Sequence, residues 1–156
     1  MGEENIYKNI LYVDDEVHNL NSFRAVFRRS YTIFTASSAE EGRQILKANN
    51  IHLIITDQRM PETTGIEFLE SIIKDYPAVP RILLTGYTDI NAVIDAINKG
   101  SVYKYVQKPW SEDELRTTIE NALKLYNNSK NQEELTEKLM TTNEQLEFLL
   151  RQNLLS

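Results

Sequence analysis

Short apolar runs alternate along this chain with stretches in which apolar residues recur every three or four positions, and the alternation repeats five times. The strand-length runs fall at Ile10–Val13, Tyr31–Thr35, His52–Thr56, Arg81–Leu84 and Val102–Val106. Each precedes helical spacing, so the pattern predicts repeated βα units around a parallel sheet. The third run lies within Ile51-His52-Leu53-Ile54-Ile55 and is almost continuously apolar. A strand covered by helices on both faces has that character, which places it at the sheet centre.

Helix limits are marked as well. Ser38 with Glu41, and Ser111 with Glu114, have capping-box spacing at the starts of the second and fifth helices. Gly65 precedes Ile66, Phe68, Leu69, Ile72 and Ile73 at helical spacing, and Pro77 and Pro80 are expected to close that helix. Thr88-Asp89 opens the next, whose stripe passes through Ile90, Val93, Ile94 and Ile97 to a left-handed cap at Gly100.

From Ser111 to Ser156 there is neither Gly nor Pro. The fifth helix can therefore run past the domain by as much as roughly 70 Å at the usual rise per residue. Leu125, Leu139 and Leu146 take one heptad position and Leu135 and Leu149 the other, giving a seam interrupted by Asn128, Gln132, Thr142 and Asn153. Glu134 with Lys138 and Glu147 with Arg151 are four-apart pairs suited to a solvated helix. The expected organisation is one domain over 1–127 and a helical extension over 128–156, either a dimeric or relaying coiled coil or a frayed tail.

Composition narrows the class. A chain of 156 residues with 41% hydrophobic and 26% charged residues suits one globular core with an appendage. A net charge of −6 argues against direct nucleic-acid binding by this segment, which needs a clustered basic excess. With no cysteine, disulfides, thiolate nucleophiles and cysteine-ligated zinc are excluded. No apolar run approaches the length of a membrane span, and the first ten residues lack the form of a secretory signal. A cytoplasmic protein without membrane contact is the expectation.

In an open parallel sheet, ligands bind where strands turn into loops at their carboxyl ends. After the first strand stands Asp14-Asp15-Glu16, after the third Asp57, after the fourth Thr85-Gly86, and after the fifth Lys108-Pro109. In the doubly wound order 2-1-3-4-5 the first and third strands are neighbours, so Asp14, Asp15 and Asp57 converge. Three acids in one pocket repel one another unless a cation offsets them. All-oxygen ligation with no nearby histidine or cysteine cluster suits Mg²⁺. His18 and His52 read as structural residues.

These motifs together resemble the response regulator receiver family. The residues carrying the resemblance are Asp14-Asp15, the run Asp57-Gln58-Arg59-Met60-Pro61 with Gly65, Thr85-Gly86, and Tyr105-Val106-Gln107-Lys108-Pro109. It covers roughly residues 6–127 and implies a flavodoxin-like α/β fold with an extended C-terminal helix. By the resemblance, Asp57 takes a phosphoryl group from the phosphohistidine of a sensor kinase or phosphotransfer protein. Asp15 and Asp57 hold Mg²⁺ directly, Asp14 through water, and Arg59 through its backbone carbonyl.

By the same resemblance, Lys108, followed by a usually cis proline, is expected to hold a phosphoryl oxygen, and Thr85 to bind another. Tyr105 then turns inward as the switch residue, changing a face formed by the fourth helix, fifth strand and fifth helix. A homodimer through that face or the C-terminal helix follows as an expectation. Arg59 and Tyr87 occupy positions that vary among receivers and affect the access of water to the acyl phosphate. Beyond self-phosphorylation and self-dephosphorylation, no enzymatic turnover is expected.

Two other readings share part of this pattern. An aspartyl-phosphate hydrolase of the haloacid dehalogenase type needs an Asp two residues after its nucleophile, where Arg59 follows Asp57 and Glu16 follows Asp14. A phosphorylation-independent docking receiver shares the fold but usually loses part of the acidic pocket, which is complete here.

Overall fold

The computed structural model describes residues 6–86 and 90–155. Five βα units follow in order: β1 (Asn9–Val13), α1 (Val17–Phe27), β2 (Thr32–Ala36), α2 (Ala39–Ala48), β3 (Leu53–Asp57), α3 (Gly65–Ile72), β4 (Arg81–Thr85), α4 (Ile90–Asn98), β5 (Lys104–Gln107) and α5 (Glu112–Leu155). The strands form one parallel sheet in the order β2-β1-β3-β4-β5. As the continuous apolar run predicts, β3 is central, and all five of its residues are buried.

Alternation along the strands divides the core between the two faces of the sheet. Ile10, Tyr12, Leu53, Ile55, Ile82 and Leu84 pack with Phe23 and Phe27 of α1 and with Leu115, Ile119 and Leu123 of α5. Leu11, Val13, Ile54 and Leu83 pack instead with Leu46 of α2, Phe68 and Leu69 of α3, and Val93 of α4. Fully burying a Leu, Ile or Phe side chain contributes about 1.5–3 kcal/mol, so both faces need their helices.

Several limits differ from the sequence expectation for local reasons. Tyr31 precedes β2 because its N–H closes α1 by donating to Phe27 O (3.0 Å). Val102 precedes β5 because its N–H and that of Ser101 both donate to Ala96 O, in the turn that ends α4. At the carboxyl ends, β3 extends to Asp57 and β4 to Thr85, pairing with Leu84 and Gln107. α3 ends at Ile72, well before Pro77, because Asp75 and Tyr76 both donate to Ile72 O.

Capping differs as well. Thr64 and Glu67 form a complete capping box at α3 that was not expected. At Ser38 and Ser111 only the serine half forms, and the Glu41 carboxylate accepts from Ser37 instead. Gly100 has φ +81°, the left-handed conformation expected of it. Thr88-Asp89 lies outside the described residues. On α4, Val93 is buried and Ile97 partly so, while Ile90 and Ile94 remain exposed.

The chain divides into two compact units, Met1–Tyr126 and Asn127–Ser156. In the second, Leu135, Leu139, Leu146 and Leu149 are exposed. Arg151 lies 4.0 Å from Glu147 and Lys130 3.5 Å from Glu133, whereas Glu134 and Lys138 are not bridged. Exposed pairs of this kind are weak and easily replaced by water. No described helix is long and apolar enough to cross a membrane.

Candidate functional site

The carboxyl ends of β1 and β3 are adjacent because their strands pair directly, Val13 against Thr56. That pairing brings together one carboxylate oxygen each from Asp14, Asp15 and Asp57, all within 4.8 Å of one another. Asp14 and Asp57 are buried and Asp15 is exposed. The donor set is all oxygen, small and multiply anionic, which fits a hard divalent cation such as Mg²⁺.

Asp14 is held by three donors. Tyr12 Oη donates to its Oδ2 (2.7 Å), Asn19 Nδ2 donates to the same oxygen (3.1 Å), and the Glu16 N–H donates to Oδ1 (3.0 Å). Asn19 also reaches Glu16 Oε2 (3.2 Å). Burial, and next the bond to Asp14, push the Tyr12 phenol up, so it remains a proton donor.

Asp57 forms an ion pair with Lys108 from the loop after β5. Burial raises the Asp57 carboxyl; the Lys108 ammonium opposes this, and the charges of Asp14 and Asp15 add to the rise. Three carboxylates face one ammonium, so the group favours a further positive charge. Lys108 is held from behind, since its N–H donates to Thr85 O (2.9 Å); the peptide bond that follows it, Lys108-Pro109, is cis.

The loop from β3 to α3 sets where Asp57 sits. Gly65 N donates to Gln58 O (3.0 Å), and the Gln58 side chain accepts from Ile66 N (3.0 Å), drawing the start of α3 onto the end of β3. A Cβ on Gly65 would lie 2.3 Å from the Asp57 carbonyl oxygen, so only glycine permits this approach. Around Gly86 there is open space, with nothing within 4 Å of a Cβ placed there. Glu62 in the same loop has φ +68°, uncommon for a residue with a side chain.

A pocket of about 220 Å³ is lined by Asp57, Gln58, Arg59, Thr85, Gly86 and Lys108. The sequence-predicted residues Asp57, Arg59, Thr85 and Lys108 therefore share one wall. Thr85 is buried, and its hydroxyl donates to Gly86 O (3.3 Å). Tyr105 is apart from them on β5, with its ring exposed. Tyr87 lies outside the described residues. Tyr12 and Asn19 have no place in the sequence motifs, and Gln58 stands in one without an assigned role. The available signal was a hydroxyl at Tyr12, two residues before Asp14 and so on the same side of the strand.

With this geometry established, comparison with known proteins gives a consistent answer. Residues 10–120 match the family model of the response regulator receiver domain. The hydrogenase transcriptional regulatory protein HoxA of Cupriavidus necator is 37% identical over 114 residues, covering 73% of this chain and 24% of its own length. The chain thus spans about a quarter of that curated relative. A response regulator receiver domain protein from Clostridium thermocellum superposes with a TM-score of 0.71 at 33% identity, covering 75% of this chain and 94% of its own. An adenylate cyclase structure from Rhodopirellula baltica superposes with a TM-score of 0.82 at 28% identity, covering 85% and 99%. The ladder order, the strand-end acids and these matches agree: the chain belongs to the response regulator receiver family.

Proposed function

We propose that this chain is a phosphoacceptor: Asp57 receives a phosphoryl group from a phosphohistidine on a sensor kinase or phosphotransfer protein. The observation carrying this reading is the convergence of Asp14, Asp15 and Asp57 within 4.8 Å, with Lys108 bonded to Asp57. An Asp57 carboxylate oxygen attacks phosphorus, the phosphorus–nitrogen bond to the donor imidazole breaks, and an acyl phosphate forms. Asp15, Asp57, the Arg59 carbonyl and, through water, Asp14 would hold Mg²⁺, which supplies charge neutralisation for the phosphoryl oxygens. Lys108 and the Thr85 hydroxyl then hold the added oxygens at the wall they already share.

Thr85 and Tyr105 form the switch in this reading, with output through α4, β5 and α5. Exposed Ile90, Ile94, Tyr103, Tyr105 and Leu125 support that choice, because side chains of this kind suit a docking surface. The partner on that face or along α5 is a second copy of the chain. The relatives carry different outputs, a transcriptional regulatory protein in one case and an adenylate cyclase in another. We assign the chain to the cytoplasm and to phosphoryl acceptance, without turnover of an external substrate.

Incubation with acetyl phosphate and Mg²⁺ tests the assignment. Intact-mass measurement should show one phosphoryl adduct on the wild type and none on Asp57→Asn; an equal adduct on the variant defeats the reading. Binding of beryllofluoride only with Mg²⁺ separates an acceptor from a docking module. Thr85→Ala should still accept phosphate yet lose the change in self-association.

A further inference from the structure

We infer that Tyr12 and Asn19 are positioning residues that restrict Asp14 to a single free acceptor direction and thereby favour Mg²⁺ over Ca²⁺; this rests on the metal-dependent reading above. A carboxylate offers about four lone-pair sites, two on each oxygen. On Asp14, Oδ2 accepts from both Tyr12 (2.7 Å) and Asn19 (3.1 Å) and is saturated. Oδ1 accepts from Glu16 N (3.0 Å) and keeps one site. Asp14 can therefore offer a cation, or one of its waters, one contact from one oxygen.

That restriction matters for selectivity. Mg²⁺ requires compact octahedral geometry and keeps several waters, whereas Ca²⁺ accepts more oxygens and readily takes both oxygens of one carboxylate. An Asp14 free to turn would offer two oxygens and favour the larger ion.

The two donors are suited to preventing the turn. Tyr12 is buried and its ring stacks on Phe23, with centroids 4.4 Å apart. Its hydroxyl is therefore fixed by packing and not by the site. Asn19 is fixed from a second direction by its bond to Glu16. Both donate to the Asp14 carboxylate and so act through it, as outer partners of metal-site carboxylates do.

Mg²⁺ and Ca²⁺ affinities are to be measured by isothermal titration on the full chain for the wild type, Tyr12→Phe and Asn19→Ala. Tyr12→Phe keeps the stack and removes only the donor. Mg²⁺ should bind about tenfold more weakly to Tyr12→Phe, the lower end of what losing such a partner costs. Ca²⁺ should weaken less, so the preference for Mg²⁺ narrows. Asn19→Ala should move the same ratio in the same direction. If both ions weaken equally, the hydroxyl merely supports the fold, and if neither changes it does nothing at the site; either result overturns the positioning role. A wild type that binds no Mg²⁺ sinks the metal-dependent reading itself, a separate and recognisable failure.

Discussion

The Asp57 carboxylate at the end of β3 and the Lys108 ammonium from the loop after β5 meet across the end of β4, which lies between those two strands in the sheet. The strand between them supplies Thr85, whose carbonyl accepts the Lys108 N–H. Any group added to Asp57 therefore enters a space already bounded by this ammonium and by β4.

The balance at this pair gives a pH-dependent prediction. Burial, with help from Asp14 and Asp15, raises Asp57 despite Lys108. The folded protein thus holds this proton to higher pH than the unfolded chain. The stability Asp57 contributes is full below the unfolded carboxylate range and is lost as pH rises through the folded value. In metal-free buffer, Asp57→Asn should melt above wild type at neutral pH, by about 2–4 °C for each kcal/mol relieved. The difference should shrink as the solution is acidified. A calorimetric scan showing the variant less stable at neutral pH counts against this balance.

Gly65 and Gly86 predict opposite outcomes. A methyl on Gly65 meets the Asp57 carbonyl, so Gly65→Ala should cost about 1–3 kcal/mol in urea denaturation. It should also weaken Mg²⁺ binding, since the strand end must shift. At Gly86 the space is open, and Gly86→Ala should change stability by less than about 0.5 kcal/mol. Equal effects at the two glycines would refute the close-approach argument.

Much of this was legible in the sequence because β-period and helix-period patterns are set by burial. The apolar run ending at Ile55 located the central strand, and the acids after two strand ends located the site. Boundaries were less legible, as at Val102, whose apolar side chain is buried from a turn and not from a strand. The supports of Asp14 were only faintly legible, for another reason. Tyr12 has the pattern of a core aromatic, and its spacing from Asp14 puts both on one side of the strand without fixing the hydrogen bond between them.

The sequence pattern marks Arg81 only as the first residue of a strand, yet this residue is buried. It donates to the carbonyls of Ser101 (3.0 Å), Val79 (2.9 Å), Gly100 (3.1 Å) and Tyr76 (3.5 Å). These bonds tie the turns before β4 and after α4 to one side chain, although burial lowers the guanidinium's affinity for its proton. Arg81→Met should cost about 2–4 kcal/mol, because several buried carbonyls lose a charged donor. Arg81→Lys should recover only part, since an ammonium lacks the planar fork. Equal stability of all three proteins by urea denaturation would show that water replaces the fork.

The seam on α5 suits a parallel, in-register form of the proposed homodimer. Aligned in that way, Leu135, Leu139, Leu146 and Leu149 each meet their own copy, and so do Gln132 and Thr142, which sets polar layers against polar layers. The polar layers weaken the pair while penalising other registers, so modest self-association is expected. Leu146→Asp should abolish the dimer in sedimentation equilibrium, because burying two facing carboxylates costs far more than the leucine contact contributes. Gln132→Leu should tighten it by replacing an amide layer with an apolar one. Retention of the wild-type association constant by both variants would move the dimer contact away from this helix.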